Sequence, residues 1–176
     1  MSPTPRLALL RGVNVGGLTL QMAPLRALVE GLGFTAVRSH IASGNLLFEA
    51  DAENTAIAAT LEAALLAAHG RTVPILVLDA PTFRARVASC PFAPAEGKHV
   101  HAFFLWGPAH LDPARLAALR LPSEQLSLAP GVAWLHAPEG VGRSRLAQQL
   151  DRVVLGAEMT ARNLNTAQKL VALLGA

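Results

Sequence analysis

The sequence predicts an α+β protein of two ferredoxin-like (βαββαβ-type) subdomains packed together. Three observations lead there. Short apolar runs at residues 6–10, 73–78 and 99–106 end at Gly, Pro or Asp and are too brief for helices. Between them lie segments with apolar residues at helical spacing. The resulting order, βαββαβ, begins again after a Pro- and Gly-bearing stretch at 91–98. The expected domains are 1–90, a βαββαβ subdomain with a short extra helix, and 99–176, a βαββα subdomain with an extra C-terminal helix. Residues 91–98 form the expected linker.

Each element has its own reason. Residues 6–10 give strand one. Pro24 falls in the first turn of the next segment, where a missing N–H costs nothing. Leu25, Leu28, Val29 and Leu32 then repeat at helical spacing until Gly33. Two strands within 36–49 meet at Ser43-Gly44-Asn45, a tight-turn signal. Asp51 is placed to cap a long helix with Ile57, Leu61 and Leu65 inward, closed by His69-Gly70. Strand four follows at 73–78. Asp79 and Pro81 open a short helix through Phe83 and Val87. In the second half, 99–106 is a strand, and Asp112-Pro113 caps and opens a helix. Residues 125–128 and 132–136 make a hairpin across Pro130-Gly131. Helices are expected at about 144–155 and about 163–174.

Composition bounds the classes of function. Hydrophobic residues make up 52% of the 176, enough for a core without metal or disulfide. A single cysteine, Cys90, excludes a disulfide framework and suits a reducing, cytoplasmic compartment. It reads as a packing residue. No charged-then-apolar leader and no run of ~20 apolar residues is present, so no membrane role is expected. The net charge of +3 equals the excess after Gly140, where Arg143, Arg145, Arg152, Arg162 and Lys169 face only Asp151 and Glu158. That tail suits an anionic partner, although solvated helix faces carry similar excesses.

Four polar clusters carry what chemistry there is. Leu9–Gly17, LLRGVNVGG, runs a strand into Arg11 and Asn14 among Gly12, Gly16 and Gly17. It is neither a Walker loop nor a dinucleotide fingerprint. Its glycines admit an anion to the backbone or only shape a turn. Ser43-Gly44-Asn45 reads first as a hairpin turn. Gly142-Arg143-Ser144-Arg145 puts two arginines at a helix start that Ser144 would cap, and a helix start does not favour basic charge. In Thr160-Ala161-Arg162-Asn163-Leu164-Asn165-Thr166, Asn163 or Asn165 supplies the cap and Arg162 is left unexplained. His99 and His101 share a strand face, but no third ligand is placed beside them, so no metal site is expected. Phe103, Phe104 and Trp106 read as core packing. No catalytic triad order, CxxC or close carboxylate pair appears. No catalytic residue and no cofactor is therefore assigned.

Together the four clusters resemble a bacterial family without assigned function, domain-of-unknown-function family 1697. LLRGVNVGG, SGNLLF, GVGRSRL and TARNLNT are similar to that family's LLRGINVGG, SGN-V-F, GVGRSKL and TTRNWNT segments, over residues 7–174. The resemblance implies an α+β protein of two related subdomains and no established activity. It places Arg11, Gly12, Asn14, Gly16, Gly17, Ser43, Gly44, Asn45, Gly142, Ser144, Thr160, Arg162, Asn163, Asn165 and Thr166 on motif positions. Three departures stand out. Residues 18–21 are apolar and shorter than the usual Lys-bearing segment, Arg145 replaces a Lys, and Leu164 replaces an aromatic residue.

The function expected is binding of a small anionic ligand, bearing phosphate or carboxylate, in a cleft between subdomains. Arg11, Arg145 and Arg162 would clamp it, and Asn14, Asn45 and Asn163 would orient it. Gly16, Gly17, Ser43, Ser144, Asn165 and Thr166 would line the site. The alternatives are weak single-stranded nucleic-acid binding through the basic tail and motifs that are purely structural. Oligomeric state is left open.

Overall fold

A computed structural model describes residues 2–175. The first strand, β1 (Thr4–Leu10), lies between β3 (Asn45–Ala50) and β4 (Ile75–Asp79), and β2 (Thr35–Ser39) adds to β3 at the edge. All three pairings are antiparallel. Helix α1 (Met22–Gly31) follows β1, and α2 (Asn54–His69) follows β3. Ala8, Leu10, Leu46, Phe48 and Val77 bury one sheet face against Leu25 and Val29 of α1 and Ile57, Leu61 and Leu65 of α2. The helix-period residues read from the sequence pack, except Leu32, which falls at the C-cap of α1 and is exposed. Asp51 is not the cap: α2 begins at Asn54, and its N-cap, Glu53, makes no side-chain cap bond. The far end is as expected, with Gly70 at φ +67° donating its N–H to Leu66 O at 2.8 Å.

Helix α3 (Ala80–Ala88) comes next, its first turn held by Asp79, whose carboxylate accepts from Thr82 N at 2.7 Å. Burial alone would raise the Asp79 pKa, but the Thr82 hydrogen bonds, Arg6 and Asn54 outweigh it and hold the group below its usual range.

The second sheet takes β10 (Met159–Asn163), β5 (Val100–Leu105), β8 (Val132–His136) and β7 (Gln125–Ala129), in that order and all antiparallel. Helix α4 (Pro113–Leu119) opens as read, with Pro113 in its first turn and Asp112 accepting from Arg115 N at 3.0 Å. Phe103, Leu105, Ala133 and Leu135 form the core of one face with Leu146, Leu150, Val153 and Val154.

One expected helix differs, and one strand of the second sheet was not expected. The helix expected at 144–155 lasts one turn, α5 (Arg145–Gln148), because Gln149 leaves helical backbone at φ −122°, ψ 26°. A 3-10 turn at Leu150–Arg152 leads into β9 (Val154–Leu155), which pairs with β6 (His110–Leu111). β-branched Val154 takes a place in this ladder opposite Leu111, free of the rotamer restriction a helix would impose. The final helix, α6, is Leu164–Leu174, and it is preceded by β10, which the sequence reading missed. Its buried side is Thr160 and Arg162, so the period-2 signal carries polar names.

The chain divides into two compact units. One runs to Phe83 and takes back the chain from Leu170, and the other is Arg84–Lys169. The division therefore precedes the Pro-rich 91–98. Residues 84–98 have fixed partners in the second unit. Arg86 Nη1 donates to Gly131 O at 3.1 Å and Leu105 O at 3.3 Å. The fully buried Trp134 donates its indole N–H to Ser89 Oγ at 3.1 Å, and Phe92 stacks near His136 with ring centroids 5.6 Å apart. Among the described residues no helix is long and apolar enough to cross a membrane.

Ser89 is an exposed residue, yet Ser89→Ala strands the Trp134 N–H. We expect a loss of about 1–3 kcal/mol in urea-unfolding stability. Ser123→Ala, which loses only an exposed bond to Glu139, is the control and stays within ~0.5 kcal/mol.

Candidate functional site

The two N-terminal motifs meet. Beyond β1 the chain loops outward, with Arg11 exposed and its N–H donated to Pro74 O at 3.0 Å. Asn14 stands at φ +57°, a left-handed backbone that Asn tolerates through its local side-chain bonds. Its amide is fully engaged. Oδ1 accepts from Leu20 N at 2.8 Å, and Nδ2 donates to Leu20 O at 3.0 Å and to Ala42 O at 2.5 Å. Gly16 and Gly17 are exposed in the same loop.

The Ala42 bond ties this loop to the Ser43-Gly44-Asn45 turn, and Leu10 N donating to Gly44 O at 2.9 Å adds a second tie. Gly44 has no alternative: a Cβ there would lie 2.6 Å from Val13 Cγ2 and 2.8 Å from Leu10 Cβ, at φ +82°. Asn45 is fully buried and donates to His40 O and Ser43 Oγ, both at 3.0 Å. Ile41, exposed and β-branched, is held at φ +50° between these bonded neighbours.

In the second unit the motifs form two helix starts. Ser144 is buried and caps α5, accepting from Ala147 N at 2.9 Å. Gln148 Nε2 returns to Gly142 O at 3.1 Å. Ser144 and Leu146 point inward, so Arg143 and Arg145 on either side of the cap point to solvent. Neither guanidinium makes a hydrogen bond or ion pair among the described residues. Asn163 caps α6, its Oδ1 accepting from Thr166 N at 2.9 Å. Asn165 is exposed, and its Oδ1 lies where a Cβ on Gly97 would stand.

Arg162 is different in kind. Only 7% of it is exposed, and Nη1 donates to Ala161 O at 2.7 Å and Thr160 Oγ1 at 3.0 Å. Burial lowers its pKa to about 10, still far above neutrality, so it remains cationic. His101, opposite Asn163 in the ladder, is half-buried, and its Nδ1 has no hydrogen-bond partner among the described residues. Burial, reinforced by the charge of His99, lowers its pKa. Burial raises the Cys90 thiol. Among the described residues no three His, Cys, Asp or Glu side chains gather as metal ligands.

A groove of about 320 Å³ that sequence reasoning missed lies at the start of α1, lined by Thr19, Leu20, Gln21, Pro24, Leu25 and His69. His69 arrives from the far end of α2, so no local pattern signals it.

The family model described as "Protein of unknown function (DUF1697)" matches residues 4–134. Among solved structures, the conserved bacterial protein SP0830 from Streptococcus pneumoniae is 26% identical, with a TM-score of 0.74 over 99% of each chain. No curated protein matches.

Gly44→Ala should cost about 2–5 kcal/mol, combining overpacking against Leu10 and Val13 with positive-φ strain. Chemical denaturation of the purified variant measures it. The native His101 resists protonation while the unfolded chain accepts it, so the proton difference makes stability fall as pH drops below 6.5. Urea midpoints at about pH 7.5 and about pH 5.5 should show that slope, and His101→Gln should reduce it.

Proposed function

The chain belongs to the DUF1697 family, and we propose that it binds a small anionic ligand bearing phosphate or carboxylate groups. The observation that carries this reading is the pair Arg143 and Arg145, two solvent-facing guanidiniums without partners among the described residues, on either side of a capped helix start. No acidic residue occurs from Gly140 to Leu150. Like charges two residues apart in the chain repel one another, an anion between them relieves that repulsion, and guanidinium forks suit phosphate and carboxylate geometry. Arg11, exposed at the end of β1, is the other motif arginine open to solvent. Arg162 contributes as a buried cation and not as a flexible arm.

Asn14, Asn45, Ser144 and Asn163 favour a second, complementary reading. Their side chains hold loops and caps, so these motif residues shape the backbone that presents the arginines. A role in orienting ligand is not needed to explain them. The nucleic-acid alternative gains no stacking platform from Phe103 and Phe104, which are 8% and 0% exposed. We assign no reaction and no cofactor. The lone cysteine supports a reducing, cytoplasmic setting.

The test is a melting-temperature titration with phosphate at fixed ionic strength. Wild type should gain stability by mass action, about 2.7 kcal/mol at a hundredfold excess over Kd. The double variant Arg143→Met/Arg145→Met should fold normally and lose the response. Equal responses in both proteins would remove the arginine pair as the anion site.

A further inference from the structure

One edge strand of each four-stranded sheet, β2 in the first and β7 in the second, is built differently from the other. Strand β2 is broken by a register shift between Thr35 and Arg38, carries Ala36 at φ +51°, and bears the charge of Arg38. Bulges and charges are the usual devices that stop an edge from pairing. Strand β7 has none of them. Its residues Gln125-Leu126-Ser127-Leu128-Ala129 pair with β8 in unbroken register and contain no charge and no proline.

The direction of its free backbone groups follows from the ladder. Leu105 N donates to Gly131 O, which makes Phe104 and Val132 a non-hydrogen-bonded pair on the β5 side. Val132 therefore bonds toward β7, and Trp134 and His136 do the same by alternation. They take the backbone groups of Ala129, Ser127 and Gln125. The N–H and C=O groups of Leu126 and Leu128 are left pointing outward, and no bond among the described residues occupies them.

Apolar surface lies beside this edge. Leu116, Leu119, Leu126 and Leu128 pack on the core of the second unit only partly buried, and Leu121 is 37% exposed. From Leu121 to Trp134 the only charged residue is Glu124, which is 2% exposed with its carboxylate turned onto Leu121 N.

We infer that β7 pairs with β7 of a second copy of this chain, antiparallel about a twofold axis at Ser127, extending the sheet from four strands to eight. The register is self-complementary. Leu126 of one copy meets Leu128 of the other, so both outward residues of each copy enter hydrogen-bonded pairs, and their side chains meet on the leucine-rich face. Ser127 meets itself as a non-hydrogen-bonded pair, the closer of the two spacings at ~4.5 Å between Cα atoms. No like charges oppose across the join, whereas a β2 twofold at Arg38 would set cation against cation.

Two measurements decide it. Analytical ultracentrifugation from about 1 µM to about 1 mM should show a monomer–dimer equilibrium. Ser127→Lys and Ser127→Glu, each placing like charges face to face, should each weaken self-association about fivefold, and an equimolar mixture of the two should recover it. Amide hydrogen exchange on the unmodified chain is independent of any variant. Leu126 and Leu128 should gain protection with concentration, while Ser127 N–H, already in the ladder, stays constant. A wild type that remains monomeric throughout overturns the inference. So does a dimer that leaves exchange at Leu126 and Leu128 unchanged, or one that forms equally well in each charged variant alone.

Discussion

The N-terminal unit depends on one close approach, that of the Gly44 backbone to Leu10 and Val13. Strand β1 is central in its sheet, and its end must turn out into a loop while β2 and β3 turn beside it. Only a residue without Cβ lets both turns occupy that space. Once they are seated, Leu10 N reaches Gly44 O and Asn14 reaches Ala42 O. Those bonds hold Ile41 in a conformation that costs a β-branched residue on the order of 1–3 kcal/mol. Two motifs separated by nearly thirty residues are thus one structural device.

The arginines divide by solvation. A buried guanidinium loses hydration that its hydrogen bonds must replace, and Arg162 is held by the hydroxyl and carbonyl of its own strand. That makes it a fixed, dehydrated charge. Arg143 and Arg145 keep their hydration and side-chain freedom, so an anion that engages them must supply enough binding energy to order them. Similar residues in neighbouring motifs therefore have opposite energetic roles. Charge alone does not distinguish them, but the burial of Ser144 and Leu146 between the exposed pair does.

Most of the fold was legible in the sequence because the apolar periods were clean. The runs ending in β1 and β4, the α2 face of Ile57, Leu61 and Leu65, and the Asp112-Pro113 opening all appear where their chemistry puts them. Strand β10 was hidden because Thr160 and Arg162 fill its inward positions. Residues 144–155 misled for the reverse reason: Leu146, Leu150, Val153 and Val154 fit a helical stripe, yet they reach one core through a turn, a 3-10 segment and a short strand. Pro and Gly signal irregular backbone but not independence from neighbours, and residues 91–98 fall within the compact unit that begins at Arg84. At the candidate site the residue types were visible, and their duties were not. Asn14 could not be assigned a structural part locally when one acceptor, Ala42, lies 28 residues away.

The return of residues from Leu170 onward to the first unit has a consequence for how the protein is made. Arg38, on the β2 edge, donates its guanidinium to Leu173 O at 3.0 Å, across 135 residues of chain. During synthesis the first four strands emerge early and can pair at once, but the acceptor for Arg38 is translated only after the whole second unit. The N-terminal unit therefore waits on the ribosome with its outer strand incompletely fastened. It is completed by the last helix, so the earliest part of the chain to fold is among the last to be finished.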